Sequence, residues 1–154
     1  LQPIEEPLGS VLFEAIQRCP DYVRWLIRMH PGMSRDVVEQ IAARARAANP
    51  AVVSIQTDAD EPLPVVLAQV DLHVTEYSSV VIEAAACGVA SVLLSDQACR
   101  LYRSYIDCGL AHRVRSSDEL LRFVLAAERP ENQITPKGLI DCALDQIIGT
   151  EGYR

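Results

Sequence analysis

Asp71-Leu72-His73-Val74-Thr75-Glu76-Tyr77-Ser78-Ser79-Val80-Val81-Ile82-Glu83-Ala84-Ala85-Ala86-Cys87-Gly88 decides how the chain is read. Asp71 to Thr75 reads as a short buried strand, rich in β-formers after its first residue. Ser78 or Ser79 then caps a helix from Val80 to Cys87, rich in Ala and closed by Gly88. A strand leading directly into a helix is the first half of a βαβ unit.

The same alternation extends in both directions. Upstream, Ser10 caps a helix over Val11–Arg18, which leads to a β-rich run of strand length over Tyr22–Met29, halted by His30-Pro31-Gly32. Ser34 caps a helix to about Ala48, Val52–Gln56 is a strand, and Pro62 opens a short helix. Downstream come a strand over Val89–Leu94, a helix around Cys99–Cys108 and a strand over Ala111–Val114. A helix from Ser117 and a last helix from Pro136 to about Ile148 follow. Leu1-Gln2-Pro3 reads as the end of a strand. Strands alternating with helices imply right-handed crossovers and a parallel sheet covered on both faces. The expected fold class is therefore α/β: one three-layer Rossmann-like domain over residues 1–154, with a parallel sheet of about five or six strands.

Composition agrees. Of 154 residues, 49% are hydrophobic and 23% charged, which excludes an intrinsically disordered chain. Aromatics are only 5%, so Val, Ile, Leu and Ala must build the core. No run of about 18 apolar residues is present to cross a membrane, and the acidic start lacks a signal-peptide layout. The net charge is −7, from 14 basic and 21 acidic residues. Gripping nucleic acid without sequence preference needs a surplus of cations, so nucleic acid is not an expected partner. Five cysteines, with no C-x-x-C pair, read as reduced, mostly buried thiols of a cytoplasmic protein.

Parallel sheets of this kind bind ligands beyond the carboxyl ends of their strands. Thr75 lies at one such exit. Free amides at the following helix start, with the Ser78 and Ser79 hydroxyls, could meet a diphosphate. Glu83, one turn on, could accept from vicinal ribose hydroxyls. Equally, the serines are plain caps and Glu83 a solvated acid. His30 ends another strand and could donate to a phosphate, or be merely exposed. Arg28 could balance diphosphate charge or pair with Asp58. His73 reads as a satisfied core residue, and His112 has no assigned role. The glycine-rich phosphate loops, the nucleophile elbow and HExxH are all absent.

At these residues the sequence resembles a known family. The 71–88 stretch looks like the "D-x-x-[IV]-T-[DE]-[YS]-S-[ST]-x-x-x-E-A-x-x-x-G" segment of GT-B glycosyltransferases. It is most similar to capsule and teichoic-acid polymer transferases of the CDP-glycerol glycerophosphotransferase type, and more distantly to UDP-N-acetylglucosamine 2-epimerases. Arg28-Met29-His30-Pro31 resembles the family's "[KR]-x-H-P" turn. Glu76 stands where aspartate is commoner, and Ala90 replaces the proline of a following "G-x-P".

The resemblance covers roughly residues 1–124. It implies the donor-nucleotide domain of a transferase of surface polysaccharide biosynthesis, binding a nucleotide-activated sugar or polyol. Ser78 and Ser79 would meet the diphosphate, Glu83 the ribose, and His30 the diphosphate's flank. Gln56, Thr57 and Asp58 would line the base pocket. No metal or cofactor is implied. The acceptor domain would precede this one, so the chain alone is expected to be inactive, and the parent enzyme could associate peripherally with a membrane. Two other readings are a nucleotide-sugar 2-epimerase domain and a non-catalytic Rossmann-like interaction module.

Overall fold

The computed structural model describes residues 9–56 and 61–127. They form α1 (Ser10–Arg18), β1 (Trp25–Arg28), α2 (Arg35–Ala48), β2 (Val53–Gln56), α3 (Leu63–Leu67) and β3 (Leu72–Thr75). These are followed by α4 (Val80–Ala86), β4 (Ala90–Leu93), α5 (Asp96–Leu101), α6 (Arg103–Asp107), β5 (Ala111–Arg113) and α7 (Ser117–Ala127). Strand and helix thus alternate as the sequence implies. The strand end at Leu1–Pro3 and the helix from Pro136 lie outside the described residues.

The strands are all parallel but do not form one sheet. β1 pairs with β2, with Arg28 opposite Gln56. β3, β4 and β5 make a second sheet in that order, with Thr75 opposite Leu93. The expected single sheet of five or six strands is therefore two ladders of two and three. Among the described residues β1 and β3 do not pair with each other, which leaves two ladders.

One apolar core spans both ladders. Trp25 and Ile27 of β1 and Val92 of β4 join Leu12, Phe13, Ala15 and Ile16 of α1. Val37, Ile41, Ala42 and Ala45 of α2 and Leu120 and Val124 of α7 complete it, and Leu72 and Val74 of β3 pack against it. The opposite face of the three-stranded sheet is covered separately. There Val81 of α4 meets Leu93, Ala98, Cys99, Tyr102 and Ala111. Helices thus cover both faces of that sheet, as its buried strands require.

Local chemistry sets most boundaries. Ser34 Oγ accepts from the Val37 amide and starts α2. Gly88, at φ +78°, follows α4 in the left-handed conformation that glycine adopts without strain. Gly9, not Ser10, caps α1, and its amide donates to Glu76 Oε1 at 2.6 Å. The helix expected around Cys99–Cys108 starts earlier and breaks at Tyr102, whose φ of −102° and ψ of 33° leave the helical region.

Cys19 and Cys99 are buried free thiols, while Cys87 is free and exposed. Cys108 is disulfide-bonded, which corrects the expectation of reduced thiols at that position.

Candidate functional site

The carboxyl ends of β1, β2 and β3 carry Arg28, Gln56 and Thr75. Side chains alternate across a strand. Trp25 and Ile27 enter the shared core, so Arg28 faces the other way. Val53 and Ile55 pack on that core, as do Leu72 and Val74, so Gln56 and Thr75 also face away from it. Three residues singled out from the sequence therefore sit at strand ends, each turned from that core. Arg28 Nη1 donates to the Glu61 carbonyl at 2.7 Å. Asp58, its expected partner, and Thr57 lie outside the described residues.

Gln56 Oε1 and Thr75 Oγ1 are buried and have no hydrogen-bond partner among the described residues. Thr75 is only 3% exposed. An unsatisfied buried oxygen costs on the order of 1–3 kcal/mol, so two at strand ends need an explanation. A ligand with polar hydrogens would supply one.

His30 is exposed, just past β1. Its Nδ1 accepts from the Gly32 amide at 3.0 Å. That bond assigns the neutral ring's proton to Nε2, leaving an N–H donor directed away from the turn.

The start of α4 is arranged differently from expectation. Ser78 Oγ accepts from the Val80 amide at 3.3 Å, so it acts as a cap. The Val81 and Ile82 amides donate to the Ser78 and Ser79 carbonyls. The amides expected to await a diphosphate are thus already engaged. Ser79 is exposed at the N-cap with no side-chain capping bond, and Glu83 is exposed one turn on. The Glu76 carboxylate turns away to the Gly9 amide.

Glu83 lies close enough to Tyr102 to act on its phenol. Burial chiefly, then the charges of Tyr77, Glu83 and Tyr105, push the Tyr102 pKa up. The sequence reading did not select Tyr77 or Tyr102. Tyr77 sits inside the quoted segment, and its ring was the available signal.

No protein-family model matches the chain, and comparison with curated proteins and with solved structures gives no significant match.

Two clefts lie away from this edge. One, of about 840 Å³, opens near the amino ends of β3 and β4, lined in part by Val70, Leu72, Gly88, Ala90 and Gly109. Its lining also includes Gln69, Asp71 and His112. The other, of about 510 Å³, runs along α7 between Arg113, Arg115, Arg122 and Phe123. Among the described residues there is no cluster of three metal-ligating side chains and no helix long and apolar enough to cross a membrane.

Proposed function

We propose that this chain is a Rossmann-like donor-binding domain of a glycosyl- or polyol-phosphate transferase of surface polysaccharide biosynthesis. Its ligand is a nucleotide-activated sugar or polyol. The observation that carries the reading is that two buried oxygens at strand exits, Gln56 Oε1 and Thr75 Oγ1, have no hydrogen-bond partner among the described residues. They are acceptors suited to the amino and hydroxyl hydrogens of a nucleoside. Exposed Glu83 is a second acceptor, suited to ribose hydroxyls. The His30 Nε2–H and the Ser79 hydroxyl are donors for phosphate, and Arg28 adds positive charge at a strand end. As the nucleotide departs, these donors offset its growing negative charge. Ser78 serves the helix instead.

Calorimetry with UDP, CDP and GDP tests the reading. One of the three binds, and Glu83→Ala weakens it by about tenfold, in line with a hydrogen bond to a charged group. The 2′-deoxy nucleotide is weaker for the native chain but not further weakened by Glu83→Ala. Absence of binding to all three at millimolar concentration overturns the reading and favours an interaction module.

A further inference from the structure

Arg113, Arg115 and Arg122 line one groove of about 510 Å³ in a chain whose net charge is −7. That volume suits a small ligand. All three arginines are exposed. The acids nearest to them are already engaged. Asp96 pairs with Arg113. Asp118 pairs with Arg18 at 2.5 Å. Glu119, the acid of the groove's described lining, is held by capping at the start of α7. Its Oε2 accepts from the Arg115 amide at 2.8 Å, and its own amide donates to Ser116 Oγ at 3.2 Å. The Arg115 and Arg122 guanidiniums are left with no hydrogen-bond or ion-pair partner among the described residues. A guanidinium presents a planar fork of donors that matches a carboxylate or a phosphate. Phe123 gives the same groove an apolar wall, and its ring is stacked on His112 with centroids 4.7 Å apart. Burial holds the His112 pKa below its ordinary value, so at neutral pH that imidazole adds no charge.

We infer that this groove binds a small oxyanion carrying at least two negative groups, a diphosphate or a di- or tricarboxylate. Two guanidiniums in one groove are matched by two anionic groups on one ligand. Arg115 and Arg122 each take one group through the guanidinium fork, and Arg113 adds charge from the end of β5. The Glu119 carboxylate opposes the anion, so it sets how tightly the groove can bind. The arginines are exposed, so the attraction is screened and weakens as salt rises. None of the groove's described lining residues belongs to the exits of β1, β2 or β3, and the inference stands independently of the nucleotide reading.

The test is calorimetry on the 154-residue chain with sodium diphosphate and with citrate at low ionic strength, followed by amide NMR. At least one of the two binds at millimolar concentration, with shifts centred on Arg113 to Phe123. Diphosphate alone identifies a phosphate ligand and citrate alone a carboxylate, while both together support the shared chemistry. Arg115→Gln and Arg122→Gln each weaken binding by about three- to tenfold, whereas Arg35→Gln on α2 leaves it unchanged. Glu119→Gln keeps an acceptor for the Arg115 amide but removes a negative charge, so it tightens binding, a gain that misfolding cannot produce. Far-UV circular dichroism confirms that each variant is folded. Binding of neither anion overturns the inference. So does an unchanged affinity in either arginine variant, weaker binding in Glu119→Gln, or shifts centred on Thr75 to Glu83.

Discussion

Thr75 is a buried threonine whose hydroxyl has no partner among the described residues, and a valine has nearly its shape. Thr75→Val removes an unsatisfied oxygen without opening a cavity. Chemical denaturation should show the ligand-free variant to be more stable by about 1 kcal/mol. Calorimetry should show it to bind nucleotide less well. A residue kept at a cost in stability is what a binding role predicts, and destabilisation of the ligand-free variant would remove that role. His73 makes the opposite case. Its Nδ1 lies 2.9 Å from Ser91 Oγ, and burial lowers its pKa to about 4. The unfolded imidazole takes a proton near 6.5. Below that pH the unfolded chain therefore gains a proton that the folded chain refuses. Stability falls as pH drops from about 6.5 and levels off below about 4, by at most roughly 3 kcal/mol. Burial shifts His112 in the same direction. Denaturation midpoints across this window, with an NMR titration of His73, check it; a His73 that titrates near 6.5 in the folded chain would sink it.

At the scale of elements, Ser95 joins two strand exits. Its hydroxyl donates to the Glu76 carbonyl and accepts from the Ala98 amide, capping α5. Ser95→Ala loses both bonds and should lower stability by about 1–2 kcal/mol in urea denaturation. An unchanged midpoint would show that water replaces them without loss. This cap was readable as Ser95-Asp96, yet the sequence reading began that helix near Cys99. The apolar pattern there is weak, and the helix is in fact two short ones parted at buried Tyr102. Other boundaries were legible because one residue sets each, such as Ser34 before α2 and Gly88 after α4. The site was legible to a lesser degree. Arg28, Gln56 and Thr75 were selected because each ends a strand, and strand ends follow from the turn residues after them. Which oxygens lack partners, and that Ser78 engages the Val80 amide, depends on packing and local torsions that no spacing encodes.

For the whole molecule, the decisive fact is one core beneath two ladders. Ile16 of α1 is fully buried in it. Ile16→Ala should cost about 2–5 kcal/mol. Because the core is shared, both ladders should lose stability together. Trp25, the only tryptophan, reports β1 by fluorescence, while far-UV circular dichroism reports all elements. The two unfolding curves should coincide for the native chain and the variant. Separate transitions would mean that the ladders are independent units.

The bond from Gly9 to Glu76 carries a consequence for how this sequence can drift. A Cβ at position 9 would come within 2.8 Å of Glu76 Oε1. That oxygen is the far end of a flexible side chain, so an alanine at position 9 is accommodated once the carboxylate swings aside and gives up its bond to the amide. The tie between the entry to the first helix and the exit of the third strand is therefore a releasable one: Gly9→Ala and Glu76→Ala should each cost no more than that one hydrogen bond, about 1–2 kcal/mol in urea denaturation.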